Sequence, residues 1–312
     1  MQLLNESIVQ AEEIDSLGHM NVRFYMSRME AANQKLIEDM GMAQANSSAR
    51  YLRRIDTYTR FQREQFEGAS LHTLGGVLDI TADGMRSYIE IKNPTTTDVA
   101  ATFIVTTQLT DSLDHRPLAF EMPANAAAES FIEIPGYAQP RSLSIGPVNN
   151  RVTLAQLDGL IPDVAEGSAM ISGRRQTRIE QDDVDESGWL RKDVELMFLP
   201  FSKMALAEGK AHGPPVFTTK AGQRAGWAVM ESRTLVYNQP RLGDPLSYFN
   251  TDLALEEKSR LSRRWAFNSS SGELLGISDT VGLCIDLDAR RAIAWPGELR
   301  ELIEQHMQPQ LA

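Results

Sequence analysis

The sequence predicts an α+β protein built from two copies of one unit, each a long helix laid against a run of antiparallel strands. Three observations predict it: a self-similarity that spans the chain, one amphipathic helical stretch near the start, and runs of strand-like sequence after each copy's beginning.

The self-similarity starts with "EEIDSLG" at 12–18, answered by "DDVDESG" at 182–188, which sets Asp15 against Asp185, 170 residues on. Further along, Gly68 matches Gly243, Asn93 matches Asn268, Asp111 matches Asp286 and Arg116 matches Arg291, each 175 residues apart. The change of offset puts a five-residue insertion between 189 and 242, and "EGKAHGPPVFTTKAGQ", with its Gly-Pro-Pro, reads as the loop that holds it. The expected organisation is a first unit over 1–135, a linker over 136–172 and a second unit over 173–312.

In the first copy "LNESIVQA" reads as a short strand. Val22, Tyr25, Met26, Met29, Ala32, Leu36, Ile37 and Met40 then recur at three- and four-residue spacing, the apolar face of a helix stopped by Gly41. At roughly 1.5 Å per residue such a helix is about 28 Å long, enough to lie across a sheet. Strands are expected at "TYTRFQREQF", "LHTLGGVLDIT", "MRSYIEIK" and "VAATFIVTTQLTD", with an Asp-Gly turn in "TADGM". The second copy repeats the order with "RRQTRIEQ", a helix over about 191–208, then "WAVMESRTLVY", "DPLSYFNTDLALEE", "RLSRRWAFN" and "ELLGISDTVGLCIDL". Pro200 inside that helix should kink or shorten it.

With 312 residues, 42% of them hydrophobic and 23% charged, the chain can bury two cores of an ordinary globular kind. A formal charge of −11 gives no basic face for a phosphate backbone, so nucleic acid is not an expected partner. No stretch approaches the roughly 20 apolar residues of a membrane span and the amino terminus lacks signal-peptide features, so no membrane association and a cytoplasmic location are the expectation. Cys284 reads as a buried strand residue. His19, His72, His115, His212 and His306 are scattered without zinc-ligand spacing, so neither a metal nor another cofactor is expected.

The stretch "DSLGHMNVRFY" over 15–25 carries the chemistry-bearing residues. Asp15 lies in a turn ahead of the helix, His19 and Asn21 stand at its mouth, and the amides of the first helical turn begin near Val22. Those amides form a partial positive pole suited to an oxyanion, and a carboxylate just upstream is placed to activate water or to attack a carbonyl. The plain alternative is a capped helix: Asn21 is a good N-cap residue and Asp15 favours the preceding turn.

Asp15, Gly18, His19, Met20, Asn21 and Tyr25 fit the Asp-x-x-Gly-His-(Val/Met)-Asn-Asn-x-x-Tyr pattern, and here the chain resembles the hot-dog-fold thioesterases of the 4-hydroxybenzoyl-CoA thioesterase-like branch. The internal repeat resembles a double hot dog, two tandem units imitating the usual dimer within one chain. The resemblance implies hydrolysis of an acyl thioester, most often an acyl-CoA, to free acid and thiol. In it the residue matching Asp15 is general base or nucleophile, amides near Val22 polarise the carbonyl, and His19 and Asn21 orient the reacting groups. A fused pair is also compatible with further association into a homo-oligomer. A binding protein that holds an acyl-CoA or another hydrophobic ligand without turnover is the alternative.

The sequence departs from the pattern in places. Val22 replaces its second asparagine, and Leu17 stands where the plant acyl-carrier-protein thioesterases have the asparagine of Asp-x-Asn-x-His. In the second copy Trp189, Leu190 and Arg191 replace His19, Met20 and Asn21, so that half is expected to be degenerate. Asp279, alone on an apolar strand face, would either face a ligand or reach solvent. Two arginine groups, Arg50, Arg53 and Arg54 in one and Arg260, Arg263 and Arg264 in the other, are candidates to meet carrier phosphates, though strand-surface arginines are more often solvated or paired. Hydratase patterns and a Gly-x-Ser-x-Gly elbow are not found.

Overall fold

A computed structural model describes residues 1–41, 50–82, 84–113, 116–119, 131–146, 148, 152–163, 172–191, 194–200, 203 and 216–312. The chain divides into two units: Met1–Ile14 with Gly18–Arg141, and Asp15–Leu17 with Ser142–Ala312.

The first unit runs β1 (Gln2–Ile8), a 3-10 turn at Ala11–Glu13, α1 (Val22–Asp39), β2 (Arg50–Phe61), β3 (Ser70–Thr81), β4 (Gly84–Lys92) and β5 (Val99–Asp111). Its strands pair antiparallel in the order β1-β3-β4-β5-β2. The helix buries Tyr25, Met26, Met29, Ala32 and Leu36 against Ile89, Ile91, Ala101, Phe103 and Val105 of the sheet, as its periodicity predicts. Two buried polar groups on the same face are satisfied within the unit. Asn33 donates to Thr107 Oγ1 at 3.1 Å and accepts from Ser87 Oγ at 2.8 Å.

Strand β2 begins at Arg50, seven residues before the strand expected from "TYTRFQREQF". Charge had disguised that stretch, but Arg54 is held by Glu30 of α1 at 3.0 Å and its Nη1 donates to Thr57 Oγ1, so the ladder accommodates it. Past Phe61 the chain leaves the ladder, and the amides of Gln62 and Arg63 both turn to the carbonyl of Ala100. The Asp83 of the expected Asp-Gly turn lies outside the described residues; its Gly84 has a φ of +143°. On the sheet's outer side Tyr88 and Tyr137 both donate to buried Glu90 Oε2. Burial first, and this carboxylate second, holds the Tyr88 phenol far above its ordinary range.

The second unit contains α2 (Leu154–Leu160), β6 (Gly173–Arg178), β7 (Phe217–Thr218), β8 (Arg224–Val236), β9 (Pro245–Leu255), β10 (Ser259–Asn268), β11 (Leu274–Asp286), β12 (Arg291–Ala292) and α3 (Gly297–His306). Its main sheet has the order β6-β9-β10-β11-β8, with β12 on β11 and β7 on β8. Half of the expected helix over 191–208 falls outside the described residues; the described part holds a 3-10 turn at Leu196–Phe198. Of the proposed insertion, residues 208–215 are also outside, while Phe217–Thr218 pairs with β8.

The repeat is written into backbone geometry. Strands β5 and β11 correspond end to end at the offset of 175, and Asn93 and Asn268 each accept from the amides two and three residues on, at 2.9 and 3.2 Å. Gly68 and Gly243 share a positive φ, +79° and +87°. Asp279 is partly buried and pairs bidentately with Arg263 at 2.6 and 2.8 Å. Cys284 is buried. No helix is long and apolar enough to cross a membrane among the described residues, and none of their His, Cys, Asp and Glu side chains form a group able to hold a metal ion.

Candidate active site

The loop over 14–21 is fixed at both ends before any chemistry is considered. Ile14 and Met20 form an isolated antiparallel bridge, and the Asn21 amide donates to Glu13 O at 2.9 Å. Glu13 is gripped by Arg28 of α1, Nη1 to Oε1 at 2.9 Å and Nη2 to Oε2 at 2.8 Å, while Arg28 Nε reaches Ser7 of β1. A bidentate, largely buried pair of this kind sets direction as well as position. Met20 N donates to Gln65 O at 2.8 Å, and Gln65 in turn accepts from Asn93 at 3.1 Å.

Within this frame Gly18 takes the left-handed turn, with φ of +80°, that an L side chain rarely adopts. Asp15 is buried, 8% exposed, and its Oδ1 accepts from the Leu17 amide at 2.8 Å, an Asx turn. The same segment is held in its unit by Arg290, whose Nη2 donates to Leu17 O at 2.8 Å. His19 Nδ1 lies 3.2 Å from the carbonyl of Met20 and its Nε2 3.4 Å from Glu64 Oε1. Both ring nitrogens thus face acceptors, and only the imidazolium can donate to both. Asn21 is the N-cap, its Oδ1 accepting from Arg23 N at 3.1 Å, and its carbonyl takes the Phe24 amide. The remaining amide of that turn, on Val22, has no hydrogen-bond partner among the described residues.

Residues 9–129, which contain this loop, match the family model of the thioesterase-like superfamily. The chain as a whole is similar in fold to a 12:0-ACP thioesterase from Umbellularia californica, with a TM-score of 0.64 at 10% identity over 89% of this chain and 92% of that one. It is likewise similar to an acyl-ACP thioesterase from Bacteroides thetaiotaomicron, with a TM-score of 0.60 at 11% identity over 89% and 96%. The fold is a double hot dog, two α+β units in one chain. Among curated proteins, none matches the chain.

The counterpart of the 14–21 loop in the second unit keeps the frame and loses the contents. A 3-10 turn at Gln181–Asp183 answers Ala11–Glu13, Val184 and Leu190 form the same bridge, and Arg191 N donates to Asp183 O at 2.9 Å. Asp185 accepts from Ser187 N at 2.9 Å and Gly188 has φ of +81°. Asp185, however, is exposed, and Trp189 in the place of His19 is covered by Arg241, 3.7 Å from its ring centroid.

The first unit also brings to this loop residues that carry no sequence motif. Glu64 beside His19 and the Glu13–Arg28 pair carried no motif, since both came from stretches that looked like solvated charge. Four of the six arginines considered for carrier phosphates have protein partners: Arg54 holds Glu30, Arg260 holds Asp252 at 3.4 Å, Arg263 holds Asp279, and Arg264 donates to Met197 O at 2.6 Å.

Proposed function

We propose that the protein hydrolyses acyl thioesters, with coenzyme A as the carrier, at the loop that precedes α1. Asp15 acts on the thioester carbonyl carbon, either by drawing the proton from an attacking water or by attacking itself. The Val22 amide stabilises the oxyanion that forms, with His19 and Asn21 orienting the reacting groups. On the base route the C–S bond then breaks and the departing thiolate takes up the proton drawn from water; on the nucleophilic route C–S cleavage leaves an acyl anhydride on Asp15, which water hydrolyses to the free acid while supplying the thiolate's proton.

One observation carries the reading: Asp15 is buried in an Asx turn just ahead of a helix whose first amide has no partner among the described residues, whereas its twin Asp185 is exposed in the same turn. A turn-forming role accounts for both aspartates but not for the burial of one.

The test is thiol release from short, long, branched and aromatic acyl-CoAs and from acyl thioesters of an acyl carrier protein, with Asp15→Asn as control. Release from none of them, or full activity in Asp15→Asn, overturns the reading; release from the carrier-protein thioesters alone changes the carrier. Single turnover in heavy-oxygen water bears on the route, because label in Asp15 arises only when an acyl anhydride on that residue is cleaved at its aspartyl carbonyl.

A further inference from the structure

Among the described residues only two that are not glycine hold a positive φ, Thr97 at +64° and Arg290 at +51°. Glycine adopts this conformation freely, whereas an L side chain is crowded by the backbone, so an arginine kept there retains strain that calls for a function. Arg290 closes the turn between β11 and β12. Its surroundings hold that turn firmly. Asp286 Oδ1 accepts from the amides of Asp288 at 3.0 Å and Ala289 at 2.8 Å, its Oδ2 accepts from Gln223 Nε2 at 2.8 Å, and the Leu287 amide donates to Arg224 O at 3.0 Å.

The guanidinium of Arg290 reaches the segment Asp15–Leu17, which belongs to the same unit. Leu17 is gripped there at three points. Its amide donates to Asp15 Oδ1 at 2.8 Å, and its carbonyl accepts from Arg290 Nη2 at 2.8 Å. Its side chain, 7% exposed, lies over Gly226 of β8, where a Cβ would stand 3.4 Å from Leu17 Cδ2 and 3.2 Å from Leu287 Cδ2. Leu287 and Arg290 come from one turn, so the apolar and the charged hold on Leu17 are set together. A charge-assisted bond of this kind is about twice as strong as a neutral one. In the twin loop Ser187 stands at the place of Leu17, and it is exposed together with Asp185. The burial of the aspartate thus goes with the grip on the residue two places on.

We propose that Arg290 is a positioning residue for Asp15: through the Leu17 carbonyl, its guanidinium holds the carboxylate where the thioester carbonyl arrives. The assignment rests on the hydrolytic reading above. Without Arg290 the Leu17 carbonyl turns to water and the segment loosens. A displacement of about 1 Å at a reacting group is enough to cost about a hundredfold in rate.

Thiol release by the full chain tests it, on whichever acyl thioester of the panel above the parent turns over fastest. Arg290→Gly removes the guanidinium and suits the positive φ, so the melting temperature should stay or rise while kcat falls about tenfold or more and KM stays within about twofold. Arg290→Met, which keeps the stem and loses the donor, should show the same loss of kcat and decides the matter should the glycine variant fail to fold. In an Asp15→Asn background Arg290→Gly should cost less than about twofold in kcat, because the group it positions is already disabled. An inactive parent overturns this assignment together with the hydrolytic reading. An active parent whose kcat survives the loss of Arg290 overturns the assignment alone. So does a rise in KM at constant kcat, which would mark the exposed Arg290 as a contact for the carrier's phosphates.

Discussion

Asp15 and Asp185 accept the same hydrogen bond, from the amide two residues on, at 2.8 and 2.9 Å, yet Asp15 is buried and Asp185 is exposed. An asparagine oxygen can accept that bond as well as a carboxylate can. Asp15→Asn should therefore keep the turn and the melting temperature but lower kcat by about 10²- to 10⁴-fold, while Asp185→Asn should leave kcat unchanged. Steady-state thiol release and thermal unfolding on the two variants check this, and equal losses in both would refute it.

Restoring the missing side chains to the second loop should not create a second site. Trp189→His with Arg191→Asn, placed in an Asp15→Asn background, is expected to show no recovered hydrolysis, because the Asp185 it relies on is open to water rather than buried. Recovered turnover would mean that loop identity alone is sufficient.

Arg28→Met should cost about 3 kcal/mol, since it leaves the Glu13 carboxylate largely buried with its bidentate partner gone. Asn21 hangs from the Glu13 carbonyl, so kcat should fall too. Arg28→Lys, which cannot make the paired contact, should rescue only part of either loss. Urea unfolding and single-turnover rates give the two readouts.

Two glycines with positive φ separate strain from crowding. At Gly84 a Cβ would lie 2.1 Å from the carbonyl oxygen of Thr107, so Gly84→Ala should cost about 3 kcal/mol through a forced backbone shift. At Gly68 nothing lies within 4 Å, and Gly68→Ala should cost only the conformational strain, about 1 kcal/mol. Denaturation midpoints that fall together would contradict the comparison.

Burial raises the Asp252 carboxyl above its ordinary 3.8, against the opposing pull of Arg260 and the Ser172 hydroxyl. The folded protein therefore holds this proton more tightly than the unfolded chain does, and ionising the group weakens the fold as pH climbs from 3.8 through the raised value. The stability difference between Asp252→Asn and the parent should be flat below pH 3.8, move in the variant's favour across that window, and level off above it. Urea unfolding across pH measures the slope, and a slope of the opposite sign would mean that the Arg260 pairing outweighs burial.

Much of this architecture was legible in the sequence because the signals were local and repeated. The aspartate and glycine of each loop, the asparagine of each β-turn and the alternation of β5 are turn and strand chemistry, readable one segment at a time. What escaped reading depended on partners distant in sequence. Arg54 looked like a surface charge until Glu30 of α1 met it, which is why β2 was expected to start late. Asp279 looked unpaired because Arg263 sits on the neighbouring strand, 16 residues away. The loop residues His19 and Asn21 were visible through their motif, while Glu64 and Arg28, which hold the loop in place, carry no pattern of their own. The helix Gly297–His306 is short, and Leu299, Leu302 and Ile303 give its helical spacing in a single turn and a half.

The shared register of the two sheets means that each half serves as the other's reference. A residue at one position and its twin 175 places on sit in like backbone, in one molecule, under one solvent and one temperature. Exchanging Phe103 with Ser278 or Ile89 with Arg264 therefore asks, pair by pair, how much of a protein's chemistry belongs to a side chain and how much to the strand that presents it.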